Sequence, residues 1–407
     1  MIRALAEDLS KPEVESFLAE YYFVLQELRH TRKHLRKWLK PVRVGSPFYF
    51  LPARNTIHRE PFGCALIISP WNYPIQLALS PLIAAIASGN TAILKPSEMA
   101  PASSVLLEKI ITECFPPELV SVVTGGKEVS ESLLQESFNF IFFTGSTSVG
   151  RTVAMKAAES LTPCVLELGG KCPCIVDKSA DLKIAARRIL IGKLFNAGQT
   201  CFSPDFVAVQ TDVREALVEH LSEELMKFPW EQEIARIVNQ KHYSRLQDLV
   251  SGTVLSKGPD NPERLHLAPR ILPDEDWSSA AMQDEIFGPI LPVVTYSDSA
   301  DLIRKLRNYS TPLALYCFSK NQDFIRQLLE NVPSGGACIN DVAKQGINPA
   351  LPFGGSGASG HGRYRGKAGI MSFTQQRTVT RRYFFPDPFE MVPPRMEASG
   401  QLQKWLK

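Results

Sequence analysis

Phe140-Ile141-Phe142-Phe143-Thr144-Gly145-Ser146-Thr147-Ser148-Val149-Gly150 reads as a buried strand, a glycine turn and the entry to a helix. An unbroken apolar run closed by a turn suits a strand covered on both faces. The helix is predicted over 151–159. Glycines such as Gly145 and Gly150 let a backbone approach an anion, and a helix N-terminus, here with Ser146 at its start, offers free N–H groups. The turn is G-x-T-x-x-G, not G-x-G-x-x-G, so alone it is a weak signal.

The same alternation continues on either side. Upstream, strands are predicted at 65–68, 91–94 and 120–123, with helices at 77–87, 103–114 and 128–136. Lys95-Pro96-Ser97-Glu98 follows the second of these strands. Such alternation predicts a parallel sheet that binds ligands at the carboxyl ends of its strands. Downstream, a second α/β segment runs from about 169 to 371, with helices at 182–195, 213–228 and 302–308 and strands at 206–209 and 313–316. Residues 1–40 read as helical. Their basic run from Arg29 to Lys40 reads as a solvated face. Residues 41–60 look extended, and Val379, Arg381, Tyr383 and Phe385 alternate like an edge strand.

At 407 residues the chain exceeds one compact core. The expected domains are a cofactor domain (1–40 and 61–168), a catalytic domain (169–371), a bridging element (41–60 and 372–388) and a tail (389–407). A net charge of +3 gives no argument for nucleic acid. The 8 cysteines sit in apolar segments, and no signal peptide is apparent at the start, so reduced thiols in a cytoplasmic protein are expected. Histidines are scattered, and no metal site is expected. The uncharged stretch between Glu60 and Lys95 is broken by Pro70, Pro74 and Pro81, so it reads as core rather than a membrane span.

Two segments carry chemistry. Phe195-Asn196-Ala197-Gly198-Gln199-Thr200-Cys201 puts a cysteine on a small-residue turn, and Leu166-Glu167-Leu168-Gly169-Gly170-Lys171 puts an acid in an apolar run. A desolvated carboxylate near a thiol makes a plausible base and nucleophile. A lone cysteine is more often a small buried hydrophobe. The rest of the chain decides between the two.

ISPWNYP (68–74), LKPSE (94–98), FFTGST (142–147), LELGGK (166–171), NAGQTC (196–201), EIFGP (285–289) and LPFGG (351–355) resemble, in order, the blocks of the aldehyde dehydrogenase superfamily, and its shorter class 3 branch in particular. The resemblance implies two parallel-sheet α/β domains, one Rossmann-type, and NAD(P)+-dependent oxidation of a medium- or long-chain aliphatic or an aromatic aldehyde. It implies Cys201 as nucleophile, Glu167 as base and Asn72 as oxyanion donor. Lys95 and Glu98 match contacts to the adenosine ribose, and Ser146 matches a pyrophosphate contact. Glu285 matches the ligand of the nicotinamide ribose, and Phe353 lies near the nicotinamide. Glu98 would repel a 2′-phosphate, which favours NAD, with NADP left open. The substrate pocket should include Tyr73, Ile191 where relatives carry tryptophan, and Arg365 where relatives often carry histidine. A homodimer without a membrane anchor is expected. Two alternatives remain: a CoA-acylating dehydrogenase or acyl reductase, against which Glu167 speaks, and a scaffold that has lost turnover.

Overall fold

The computed structural model describes residues 1–48 and 51–384, without the side chains of residues 231 and 232. The predicted strands assemble into two parallel-rich sheets. The first runs, in space, Gly360–His361, Cys164–Glu167, Phe140–Thr144, Cys64–Ile68, Thr91–Lys95, Val120–Val122. Its central strand pairs Ala65 with Ala92 on one side and with Phe140 on the other, both in parallel. The chain steps outward from Cys64–Ile68 in one direction, then returns to its other flank with Phe140–Thr144. Loops leaving such a reversal diverge and open a crevice at the carboxyl ends.

The second sheet runs Leu255–Ser256, Arg270–Leu272, Ile290–Tyr296, Phe206–Gln210, Pro173–Val176, Ala314–Phe318, Gly336–Ile339. All its pairings are parallel except the one at Leu255–Ser256. Its strands are apolar on both faces: Val207, Ala208, Val209, Ile175 and Leu315 have no exposed surface. A third sheet joins Val42–Val44, Ala53–Pro61 and Thr374–Arg382, all antiparallel. These are the stretches read as extended. Phe385 and residues 386–388 of the bridging element, and the tail, lie outside the described residues.

Three readings need correcting. The helix predicted from Arg151 begins four residues earlier, at Thr147–Glu159, because the Ser146 hydroxyl accepts the Val149 N–H and caps it. The amino-terminal helix is broken at Ser10, whose φ is 50, and resumes through Glu13–Glu15 and a π-helical Ser16–Tyr22 into Phe23–Trp38. The segment from Gly360, read with the catalytic half, packs on the first sheet. Gly360 and His361 pair with Glu167 and Leu166, and in helix Gly366–Ser372 a Cβ on Gly369 would lie 3.0 Å from that of Ala84. Pairing and packing set that border; local composition gave no sign of it.

Candidate active site

Both sheets deliver residues to one junction. Asn72 follows the central strand of the first sheet, and Glu167 ends strand Cys164–Glu167. Cys201 and Glu285 precede strands Phe206–Gln210 and Ile290–Tyr296, at the amino edge of the second sheet. The chain crosses between sheets through Leu168-Gly169-Gly170-Lys171. A Cβ on Gly169 would sit 2.3 Å from Glu285 Oε2, so the acid rests on the bare backbone there.

The turn before Cys201 is conformationally unusual. Asn196 and Ala197 take φ of 53 and 54, and Gly198 takes 70. A Cβ on Gly198 would meet the Gly288 carbonyl oxygen at 2.2 Å, so the turn packs directly on the EIFGP loop. Hydrogen bonds hold it in place. The Asn72 amide donates to the Gln199 carbonyl at 2.9 Å, and the Asn196 amide donates to the carbonyls of Asn72 at 3.0 Å and Gln199 at 3.1 Å. The Tyr73 hydroxyl lies 2.7 Å from Thr200 Oγ1.

The electrostatics favour neutral groups. Burial, with Glu285 and Glu167 nearby, pushes the half-buried Cys201 thiol up to about 12. Burial raises Glu167 well above the carboxylate range, against the opposing charges of Arg365 and Arg363. Neither Glu167 oxygen has a hydrogen-bond partner among the described residues. Burial, then Asp205, moves Glu285 up to about 8. A desolvated acid beside a thiol can take a proton once a partner charge or ligand arrives.

The remaining predicted residues fall into two groups. Phe353 is buried edge-on to Phe202 at 5.5 Å, next to the nucleophile, and the buried Arg365 guanidinium lies 4.3 Å over its ring. Lys95, 2 % exposed, pairs with Glu98 at 2.9 Å at the carboxyl end of its strand. Ser146 is exposed at the helix N-terminus and Gly145 is half-buried beside it. Gly150 lies inside the helix instead, where its missing side chain admits Leu168. Ile191 is 58 % exposed on helix Leu182–Leu194, apart from the buried cluster.

The crevice has the features a dinucleotide needs. It offers a capped helix N-terminus, a lysine and acid at a strand end, and an acid over a glycine backbone beside the thiol. Lys95, Glu98, Ser146 and Glu285 are the side chains that carry these features.

Several residues that position the site escaped the sequence reading. Lys171 donates to Asp205 at 2.6 Å and to the carbonyls of Ala281 and Asp284 at 2.7 and 2.9 Å. Asp205 in turn accepts the Ile286 N–H at 2.9 Å, which fixes the loop that carries Glu285. Four buried acids of the amino-terminal segment each accept distant backbone N–H groups. Asp8 caps helix Pro101–Cys114 and Glu20 caps helix Gln76–Ala87. Glu15 holds Asn196, and Glu27 holds Gly366. These four acids are spaced by seven, five and seven residues, and the sequence reading gave them no role.

Comparison with known proteins agrees with this geometry. The family model described as "Aldehyde dehydrogenase family" matches residues 1–379. A 4,4'-diaponeurosporen-aldehyde dehydrogenase of Staphylococcus aureus is 40 % identical over 93 % of this chain and 84 % of its own length. Aldehyde dehydrogenase family 3 member H1 of Arabidopsis thaliana is 39 % identical over 100 % of this chain and 86 % of its own. A substrate-bound Staphylococcus aureus AldH structure superposes with a TM-score of 0.96 at 38 % identity, covering 100 % of this chain and 90 % of that one. The chain therefore belongs to the aldehyde dehydrogenase family, on its class 3-like side, and oxidises an aldehyde to a carboxylic acid with NAD(P)+.

Proposed function

We propose that Cys201 is the nucleophile and Glu167 the base, acting on medium- or long-chain aliphatic or aromatic aldehydes. The observation that carries this reading is a half-buried thiol in the field of the buried acids Glu167 and Glu285, where the two sheets meet. Glu167 takes the Cys201 thiol proton and releases it to solvent, the sulfur bonds to the carbonyl carbon, and the carbonyl electron pair moves to oxygen. The Asn72 amide and the Cys201 N–H face that oxygen; removing one such donor typically costs about 3–4 kcal/mol of transition-state stabilisation. When bound, NAD(P)+ supplies the hydride acceptor. Once Cys201 carries the acyl group as a thioester, Glu167 takes a proton from water. The water oxygen attacks the acyl carbon, the C–S bond breaks, and the acid leaves with the thiol restored.

Lys95 and Glu98 hold the adenosine ribose, Gly145 and Ser146 the pyrophosphate, and Glu285 the nicotinamide ribose. Phe353 packs beside the nicotinamide, and Gly150 lets the pyrophosphate helix close on Leu168. The Glu98 carboxyl is held below its usual range despite burial, by a backbone N–H and by Lys95, so it is anionic at neutral pH and favours NAD over NADP. Tyr73, Ile191 and Arg365 border the substrate. A relative named 4,4'-diaponeurosporen-aldehyde dehydrogenase supports an aldehyde substrate.

The domains follow the sequence expectation, with residues 360–371 moved to the cofactor domain. The third sheet serves as the bridging element of a cytoplasmic homodimer. Its strand Thr374–Arg382 is exposed along nearly its whole length, and Val42 and Val44 on the other outer strand are 54 % and 48 % exposed, edges that a second copy would cover. Among the described residues no helix is long and apolar enough to cross a membrane.

The test is Glu167→Gln with a panel of aldehydes. We expect a burst of NADH equal to the enzyme, then steady turnover slowed roughly 10²–10⁴-fold. An unchanged steady-state rate removes Glu167 from the mechanism.

A further inference from the structure

Lys171 and Asp205 pair at 2.6 Å with side chains 4 % and 5 % exposed, so opposite charges lie in the core where the two sheets meet. A pair buried this deeply is tolerated only when its remaining donors and acceptors are also satisfied. The further hydrogen bonds of both side chains go to one short segment. Lys171 Nζ donates to the carbonyls of Ala281 and Asp284 at 2.7 and 2.9 Å. Asp205 takes Lys171 at Oδ2 and accepts the Ile286 N–H at Oδ1, 2.9 Å away.

Glu285 stands between Asp284 and Ile286, so the pair holds the backbone on both sides of it. Arg245 completes the hold, donating to the carbonyls of Ile286 at 2.5 Å and Glu285 at 3.4 Å. The pair is itself anchored. Lys171 ends the crossover from the first sheet, and the Asp205 N–H donates to the Cys172 carbonyl at 2.8 Å. The same crossover seats the acid: a Cβ on Gly169 would lie 2.3 Å from Glu285 Oε2. The contacts from Lys171, Asp205 and Arg245 all reach backbone atoms of the segment. They fix where Glu285 stands without using its carboxyl.

We infer that the Lys171–Asp205 pair is a positioning device acting through Glu285, and that it sets how tightly the nicotinamide half of the dinucleotide is held. The inference rests on the reading of Glu285 as the ligand of the nicotinamide ribose. A hydrogen bond to a ribose hydroxyl weakens steeply outside a narrow range of distance and angle. A segment released from its buried pair therefore loses that bond. The adenosine half is held from the first sheet, by Lys95 with Glu98 and by the helix N-terminus at Ser146, and keeps its own contacts.

The experiment measures binding to the full chain by calorimetry, with NAD+ as the whole ligand and ADP as one that lacks the nicotinamide ribose. For Lys171→Met we expect the Kd for NAD+ to rise roughly tenfold, the worth of about one hydrogen bond, while the Kd for ADP stays within about twofold. In a Glu285→Ala background, Lys171→Met should add less than about twofold, because the pair acts through an acid no longer there. An affinity lost equally for NAD+ and ADP overturns the inference and makes the pair a brace of the whole site. An unchanged Kd for NAD+ overturns it too, as does full additivity with Glu285→Ala. If Lys171→Met does not fold, Lys171→Met joined to Asp205→Asn strands no charge and carries the same test. Glu285→Ala alone separates the two failures. If it binds NAD+ as the parent chain does, the reading of Glu285 fails; if it weakens NAD+ while Lys171→Met does not, only the role of the pair fails.

Discussion

Glu15 and Asn196, 181 positions apart, meet through the Asn196 backbone N–H, which lies 3.2 and 3.1 Å from the two carboxylate oxygens. Asn196 opens the left-handed turn that leads to Cys201, so Glu15 braces that turn. Glu15→Ala leaves that buried N–H unsatisfied, at an expected cost of about 1–3 kcal/mol in urea denaturation. The same variant should lose kcat more than cofactor affinity, because the turn and not the dinucleotide crevice relaxes. Equal loss of both would place the effect on the whole fold.

Burial pushes Glu15 up to about 7 from an ordinary 4.5, with Lys11 opposing. The folded chain therefore holds this proton more tightly than the unfolded chain. The stabilisation is fully present below about 4.5 and is lost as pH rises through 7, in total about 3 kcal/mol. Glu15→Gln keeps an acceptor for Asn196 but cannot ionise. Relative to Glu15→Gln, the parent chain should lose stability between pH 4.5 and 7. Urea midpoints that track each other across that window would contradict this.

Lys11 and Glu20 form a fully buried pair at 2.8 Å, and Lys11 also donates to the Asn72 carbonyl at 2.8 Å. Removing one partner strands the other charge in the core. Lys11→Met should cost about 3–5 kcal/mol, read by chemical denaturation, whereas replacing the pair together should cost less. Because Glu20 caps helix Gln76–Ala87, Glu20→Leu paired with Lys11→Met gives up those N–H bonds and should not recover fully.

The Cys201 thiol, pushed up to about 12, is almost wholly protonated at neutral pH without ligands. Its alkylation by iodoacetamide should rise about tenfold per pH unit up to pH 9 without a plateau. Cys201→Ala should abolish turnover and keep NAD+ binding. A plateau below pH 8 in the free chain would mean a thiolate already stabilised there.

Glu98 pairs with Lys95 at 2.9 Å, and the proposed adenosine site would take its charge from this acid. Glu98→Gln should raise kcat/KM with NADP+ relative to NAD+ by roughly tenfold, the worth of one removed like-charge contact. Steady-state kinetics with both cofactors check this, and an unchanged ratio would place the 2′-position elsewhere.

Much of this molecule could be read along the chain. The alternation of strands and helices, the strand–turn–helix at 140–159 and the ordered blocks around Glu167 and Cys201 are local patterns, and local patterns survive in one dimension. The start of the helix at Thr147 was missed because Ser146 capping outweighs the pull of the glycines. Gly150 was read with the phosphate turn; it lies inside helix Thr147–Glu159, where a Cβ would meet Leu168.

By itself, the order of residues determined the two α/β halves and pointed to Cys201 and Glu167, because periodicity and turn chemistry act between near neighbours. Tertiary structure alone decided that Asp8, Glu15, Glu20 and Glu27 are internal caps and not surface charges. It also decided that Gly360–His361 closes the first sheet, and that the Arg365 guanidinium lies among the rings of Phe23, Phe353 and Tyr364. The reason is physical: a carboxylate or guanidinium has the same local propensity in water as in a core, and only a partner from a distant segment makes its burial affordable.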